Sequence, residues 1–215
     1  VTHIFDLRLH KVQIPTEMRE WEERFPVGSP NVDQSITDRG LNAVHCWRDA
    51  KGPNNAEDMP KVLLAERARK TWPDAFTTTN GLYVVSGAAK HVIEGLDPGI
   101  HQFFPLKIQT KRGIDIPGPW FAMNVHVKQD SIVMEKSRVN KSQRKPDELS
   151  RFWGDTKDGD VVVDPAKQSG IHLWREARFI GSLLASDELI AAFKVQGVKF
   201  FPSFKATNIS ELSEG

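Results

Sequence analysis

The chain has 215 residues, of which 39% are hydrophobic and 27% charged, enough to bury a core as one large domain or two small fused ones, so wholesale disorder is excluded. Its 29 Lys+Arg against 28 Asp+Glu exclude a global electrostatic drive toward nucleic acid or membrane. A single cysteine, Cys46, excludes an intrachain disulfide, and no apolar run approaches the ~20 residues of a membrane helix.

In chain order, Phe5, Leu7 and Leu9 alternate with Asp6, Arg8 and His10, which predicts a half-buried strand over 4–12. The opening VTHIFDLRLHK carries no basic-then-apolar signal peptide. Position 1 is Val and not Met, which leaves a trimmed N-terminus and a lost leader open. Pro15-Thr16 opens a short helix with Met18, Trp21 and Phe25 on one face, closed by Pro26. Residues 26–40 read as loop, 40–47 (GLNAVHCW) as a short strand, and 49–60 as loop again. VLLAERARKTW (62–72) fits helix or strand equally, and Pro73-Asp74 closes it.

Residues 82–108 then read strand, Ser86 as N-cap, a helical stripe of Ala89, Val92, Ile93 and Leu96, a stop at Asp97-Pro98-Gly99, and a return strand. A hairpin follows, with arms at 103–109 and 120–127. Residues 136–160 carry Lys136, Arg138, Lys141, Arg144 and Lys145 ahead of WGDTKDGD and read as the least ordered stretch. Short strands at 161–163 and 171–174 lead into residues 179–205. These repeat the earlier order: strand, Ser186 as cap, a stripe of Leu189, Ile190 and Phe193, a stop at Gly197, and a return strand at 198–201. Both copies carry Phe-Phe-Pro, at 103–105 and 200–202. A strand–helix–strand unit with so short a helix cannot bury its own apolar face, so the units must pack on other strands. The recurring positions are apolar residues, caps and stops, which describe packing and not chemistry. The fold class that follows is α+β, with mixed, largely antiparallel sheet or sheets, short helices and two related strand–helix–strand units.

Patterns that carry reactions are weak by comparison. The seven histidines show no i, i+4 ligand pair, and HExxH and CxxC are absent. Asp155, Asp158, Asp160 and Asp164 imitate a calcium loop, but both registers place a non-ligand where an oxygen is required. The phosphate-loop and nucleophile-elbow patterns are missing too. Cys46 in an apolar run reads as a small hydrophobe more readily than as a nucleophile. The basic run 136–145 lacks the interleaved aromatics of a single-strand binder and reads as a solvated loop.

The runs at 73–108 and 171–203 resemble a bacterial immunity-protein family, the domain named for a myxobacterial locus and long known only as a domain of unknown function. The shared features are Pro73-Asp74, the strand ending at Ser86, Phe104-Pro105, Ser186-Asp187-Glu188-Leu189, Gly197 and Phe200. The similarity spans about residues 60–205 and is loose before that, which divides the chain into an N-terminal strand–helix–loop segment (1–60) packed on an immunity-type domain (61–215). The resemblance implies an inhibitor and not an enzyme. Its partner would be a cognate secreted toxin domain, bound stoichiometrically in the cytoplasm during competition between bacteria, with no cofactor, no metal and no membrane. It carries no catalytic residues to transfer and leaves the toxin's activity and the oligomeric state open. If the toxin acts on nucleic acid, carboxylates standing in for phosphates are a natural device, which marks Trp153, Asp155, Asp158 and Asp160 as the expected interface. Two competing readings remain: a small enzyme built around Cys46 or a histidine, and a nucleic-acid-binding module using 136–145.

Overall fold

A computed structural model describes residues 1–5, 7, 13–26, 32–66, 69–143, 149–152 and 155–213. The elements run β1 (Thr2–Phe5), β2 (Thr16–Glu17), α1 (Arg19–Arg24), α2 (Gln34–Asp49), β3 (Val62–Ala65), β4 (Ala75–Thr77), β5 (Tyr83–Ser86), α3 (Gly87–Leu96), β6 (Gln102–Thr110), β7 (Trp120–Asn124), β8 (Lys128–Gln129), β9 (Val139–Lys141), β10 (Leu149–Phe152), β11 (Val162–Val163), β12 (Leu173–Glu176), β13 (Phe179–Ser186), α4 (Asp187–Val195), β14 (Ser203–Lys205) and β15 (Thr207–Asn208). They form a six-stranded sheet ordered β2-β3-β6-β7-β5-β4 and a five-stranded sheet ordered β14-β1-β13-β12-β8, with the small pairs β9–β10 and β11–β15. Most neighbours are antiparallel; β3–β6, β12–β8 and β11–β15 are parallel. The fold is therefore the expected mixed α+β, and the two repeat units sit in two separate sheets.

Period-two alternation assigns each strand residue to a layer. Tyr83 and Val85 of β5 face a central core that also holds Ala89, Val92 and Ile93 of α3, Leu189 and Phe193 of α4, and Leu173, Leu183 and Ala185 of the five-stranded sheet. Leu82 and Val84 face the opposite way, onto a second core with Met18, Trp21 and Phe25 of the α1 segment and Ala43 and Trp47 of α2. On the far side of the five-stranded sheet, Ile4, Trp174 and Leu184 meet Ile132, Met134, Val161 and Val163. Both sheets thus bury apolar residues on both faces, which is why LYVV and SLLA read as continuous apolar runs and not as alternation.

The repeat is larger than its wording. In one unit β5 leads through α3 to β6, with β7 lying between the two strands and antiparallel to both. In the other, β13 leads through α4 to β14, with β1 lying between them and antiparallel to both. Each first strand also carries an antiparallel neighbour on its outer side, β4 and β12. The orders β4-β5-β7-β6 and β12-β13-β1-β14 coincide. The caps coincide as well: Ser86 and Ser186 have φ,ψ of −71,163 and −72,162, and each side chain accepts the N–H three residues on, at 3.2 Å. The two Phe-Phe-Pro runs do not coincide. Phe103 and Phe104 lie within β6, on opposite faces. Phe200 and Phe201 precede β14, and both pack in the central core, where Phe200 stacks on Phe193 at 4.5 Å. The return strand expected at 198–201 begins instead at Ser203.

Other elements differ from expectation for identifiable reasons. Residues 40–47 are the middle of α2 and not a strand, and the segment from Gln34 expected as loop is its first turns. Asp33 caps it by accepting the Ser35 N–H at 2.8 Å, and Trp47 packs edge-on against Trp21 at 5.3 Å. That tertiary contact outweighs the roughly 1 kcal/mol helix cost of the interior Gly40, and a short apolar run does not by itself separate helix from strand. Thr16–Glu17 is strand, and the helix predicted there starts at Arg19, with Met18, Trp21 and Phe25 buried on one face as expected. The first strand is described over Thr2–Phe5; residues 6 and 8–12 of the predicted run lie outside the described residues. Within 136–160, β9 and β10 pair, whereas a loop was expected.

Two polar devices tie the units together. Asp97, at the end of α3, accepts the N–H groups of His172 and Leu173, each at 2.9 Å, and its Oδ2 lies 3.2 Å from His101 Nε2. Reciprocally, Asp74 beside the first cap accepts Ser86 Oγ–H at 2.7 Å and the Lys199 N–H of the second unit at 2.8 Å. The second device is Arg175 of β12, only 1% exposed. Its Nε donates to Val125 O at 2.8 Å, Nη1 to Arg48 O at 2.8 Å and Nη2 to Trp47 O at 2.5 Å, while the guanidinium lies 4.9 Å from the Tyr83 ring centre. It supplies donors and positive charge to the carbonyl end of α2 and binds the six-stranded sheet at the same time.

Burial by itself would raise the Asp97 pKa, but His101 and the two backbone N–H groups outweigh it and hold the carboxyl below its ordinary 3.8. A depressed carboxylate contributes stability above the unfolded value and loses it as pH falls through the folded one. Asp97→Asn should therefore cost about 2–3 kcal/mol at pH 7 and flatten the acid limb of stability below about pH 4, measured by urea unfolding against pH. Arg175→Lys should cost about 3 kcal/mol or more in the same assay, because an ammonium cannot reach three divergent carbonyls.

Candidate partner-binding surfaces

The predicted acidic residues come together, but mostly for a structural purpose. In the turn before β11, Asp160 Oδ2 accepts the Lys157 N–H at 3.0 Å and Arg138 Nη1 at 3.2 Å. Arg138 also donates to Asp155 Oδ2 at 2.7 Å, so one guanidinium holds two of the carboxylates. Asp158 Oδ1 accepts the Lys205 N–H at 2.8 Å, and the Gly159 N–H donates to Lys205 O at 2.9 Å. Asp158 and Gly159 therefore close the outer edge of β14, which would otherwise present an unpaired row of backbone groups. Asp155 is the outward member, 70% exposed against 15% for Asp160. The Arg138 hydrogen bond holds its carboxyl below the ordinary value, so it is ionised at neutral pH. Trp153 lies outside the described residues.

The basic run is divided in the same way. Arg138 is spent on the acidic turn, Lys136 ends a 3-10 turn, Lys141 ends β9, and Arg144 and Lys145 lie outside the described residues. Four histidines have local partners: His3 with Asp187, His45 with Asp49, His101 with Asp97 and His172 with Ser186. Among the described residues no group of three His, Cys, Asp or Glu side chains converges as a metal site. Burial pushes the Cys46 thiol up, against a smaller opposing effect of Lys51, which works against thiolate formation.

A second surface feature was not anticipated. The second core opens to solvent in a groove of about 780 Å³ between Met59–Lys61 and the loop 115–119, floored by Phe104, Leu106, Ile108 and Trp120. Its wall is built by IDIPGPW. The Trp120 indole N–H donates to Pro117 O at 3.0 Å, and the Gly87 N–H donates to Pro119 O at 2.9 Å. Two glycines allow that approach. A Cβ on Gly118 would lie 2.3 Å from Trp120 Nε1, and one on Gly87 would lie 2.6 Å from Pro119 Cγ. Pro60, Pro105, Pro117 and Pro119 line the groove and offer no N–H. The sequence signal was the Pro-Gly-Pro run before Trp120, which reads as turn punctuation until the sheet places it beside Phe104. Gly118→Ala should shift the Trp120 ring and cost about 1–3 kcal/mol, read as a lower melting temperature with a changed tryptophan emission.

Among the described residues no helix is long and apolar enough to cross a membrane. Comparison with protein families finds a match to the model described as the immunity protein family (Imm11), over residues 11–204. No curated protein matches the chain.

Proposed function

The chain belongs to the Imm11 immunity protein family, and from that membership we propose that it binds a cognate secreted toxin domain and neutralises it by stoichiometric occlusion. The observation that carries this reading is the extent of the match, residues 11–204, which takes in the first repeat unit, the second from β13 through α4 into β14, α2 and the groove wall. On this reading the protein acts in the cytoplasm of the toxin's producer and its kin during contact-dependent competition, and it has no turnover of its own. The architecture supports such a role. Three packed cores, with both sheets packed on each face, make a stiff body. A stiff body loses little conformational entropy on binding, so more of the contact energy appears as affinity. A stable complex of this kind buries ~800 Å² per partner, with a few anchors carrying most of the energy.

Trp153, Asp155, Asp158 and Asp160 remain our proposed interface, the aspartates serving a toxin with a cationic active face. Their roles differ: Asp155 presents charge, while Asp158 and Asp160 hold the turn that presents it. The test is co-expression of the full chain with the toxin domain encoded by the neighbouring reading frame, together with a binding titration of the purified pair. Rescue of growth and one-to-one binding are expected. Asp155→Ala should slow association several-fold with little change in folding, as expected for an exposed rim charge. Turnover of a substrate by the purified chain alone, or no rescue, would sink the reading. Unchanged association of Asp155→Ala would remove the acidic anchor while leaving the immunity role intact.

A further inference from the structure

We infer that the groove beside the Pro-Gly-Pro wall is the seat of an apolar side chain of the toxin, with a toxin carboxylate beside Lys61. This deepens the proposed immunity role and rests on it. Three observations lead there. The first is that the groove is lined by core residues: Phe104 and Ile116 are partly exposed members of the second hydrophobic cluster, and the buried Leu106, Ile108 and Trp120 lie beside them. A preformed apolar concavity with a fixed wall is where an interface places its central anchor.

The second observation concerns the backbone. Around the groove, Pro117 O is taken by Trp120, Pro119 O by Gly87, Lys61 O by Lys107 N–H and Ile108 O by Ile116 N–H. The four prolines have no N–H to give. An added strand would find few hydrogen bonds here, so recognition goes through side-chain burial and not β-augmentation. A small polar ligand is disfavoured for the same reason, since such sites converge several polar groups on the ligand.

The third is charge. The lining carries Lys61, Lys107 and Asp115. Lys107 Nζ already pairs with Asp115 Oδ2 at 3.0 Å. Lys61 is exposed and forms no ion pair among the described residues. The groove is therefore an apolar seat with one cation of its lining, Lys61, left without an ion pair among the described residues, which fits a hydrophobic residue flanked by a carboxylate.

The experiment uses the full chain and the neighbouring-frame toxin domain, with three variants: Lys61→Glu and Pro105→Asp at the groove, and Val195→Asp on the exposed face of α4 as control. Melting temperatures identify any variant that fails to fold. Lys61→Glu and Pro105→Asp target different parts of the groove, and both positions are exposed. The expected result is at least a tenfold loss of affinity for Lys61→Glu and at least a hundredfold loss for Pro105→Asp, with Val195→Asp unchanged. Backbone amides of 104–121 should gain protection from hydrogen exchange in the complex. Wild-type affinity in folded groove variants, with no protection of 104–121, would overturn the groove assignment while leaving the immunity role standing. Failure of the wild-type chain to bind the toxin would overturn both. A small molecule that co-purifies in the groove, seen by native mass spectrometry and not displaced by the toxin, would also overturn the assignment.

Discussion

Arg175 is the contact on which the arrangement of layers depends. It sits in the five-stranded sheet, yet its guanidinium hydrogen bonds to Trp47 O and Arg48 O reach the last turn of α2, and the one to Val125 O reaches the chain just beyond β7. A buried guanidinium is costly unless its donors are met, and here they are met only if both sheets and α2 hold their observed positions. The residue thus converts the relative placement of three layers into one hydrogen-bonding requirement. The Tyr83 ring beneath it adds a further contact from β5.

Around that anchor the two repeat units are locked by a reciprocal pair of carboxylates. Asp97 at the end of the first helix takes backbone donors from the second unit, and Asp74 beside the first cap takes one from the segment after the second helix. The helices themselves face each other across the central core. Each unit leaves a slot between its own two strands, and the slots are filled differently. A local hairpin supplies β7 to the first, and the N-terminus supplies β1 to the second. The same architecture is therefore closed once by a short-range contact and once by a contact across almost the whole chain.

The cost of closing the sheets is concentrated at their margins. The acidic turn seals β14 with Asp158, so a cluster that looks like a charged recognition site is in large part an edge cover, with Asp155 left to face solvent. The six-stranded sheet is covered by α1 and α2 over most of one face, and the uncovered remainder is the groove. For a protein of an immunity family, a rigid frame with an open apolar recess fits the proposed inhibition by occlusion, since affinity then comes from a prepared shape and not from ordering on contact.

Local signals were legible wherever a residue acts on its own neighbours. Ser86 and Ser186 as caps, the stripes of α3 and α4, and the hairpin arms all depend on spacing within a few residues, and a linear reading recovers such spacing. The short apolar run 40–47 misreads as a strand because the contact that makes 34–49 a helix, Trp47 on Trp21, joins residues 26 positions apart along the chain. The two Phe-Phe-Pro runs pointed to a real duplication but are not its equivalent positions, since identical residues were placed differently by different strand partners. The role of Asp158 and the existence of the groove belong to the tertiary structure alone. Both arise where segments distant in sequence leave an edge or a face uncovered, and an exposed remainder has no sequence pattern of its own.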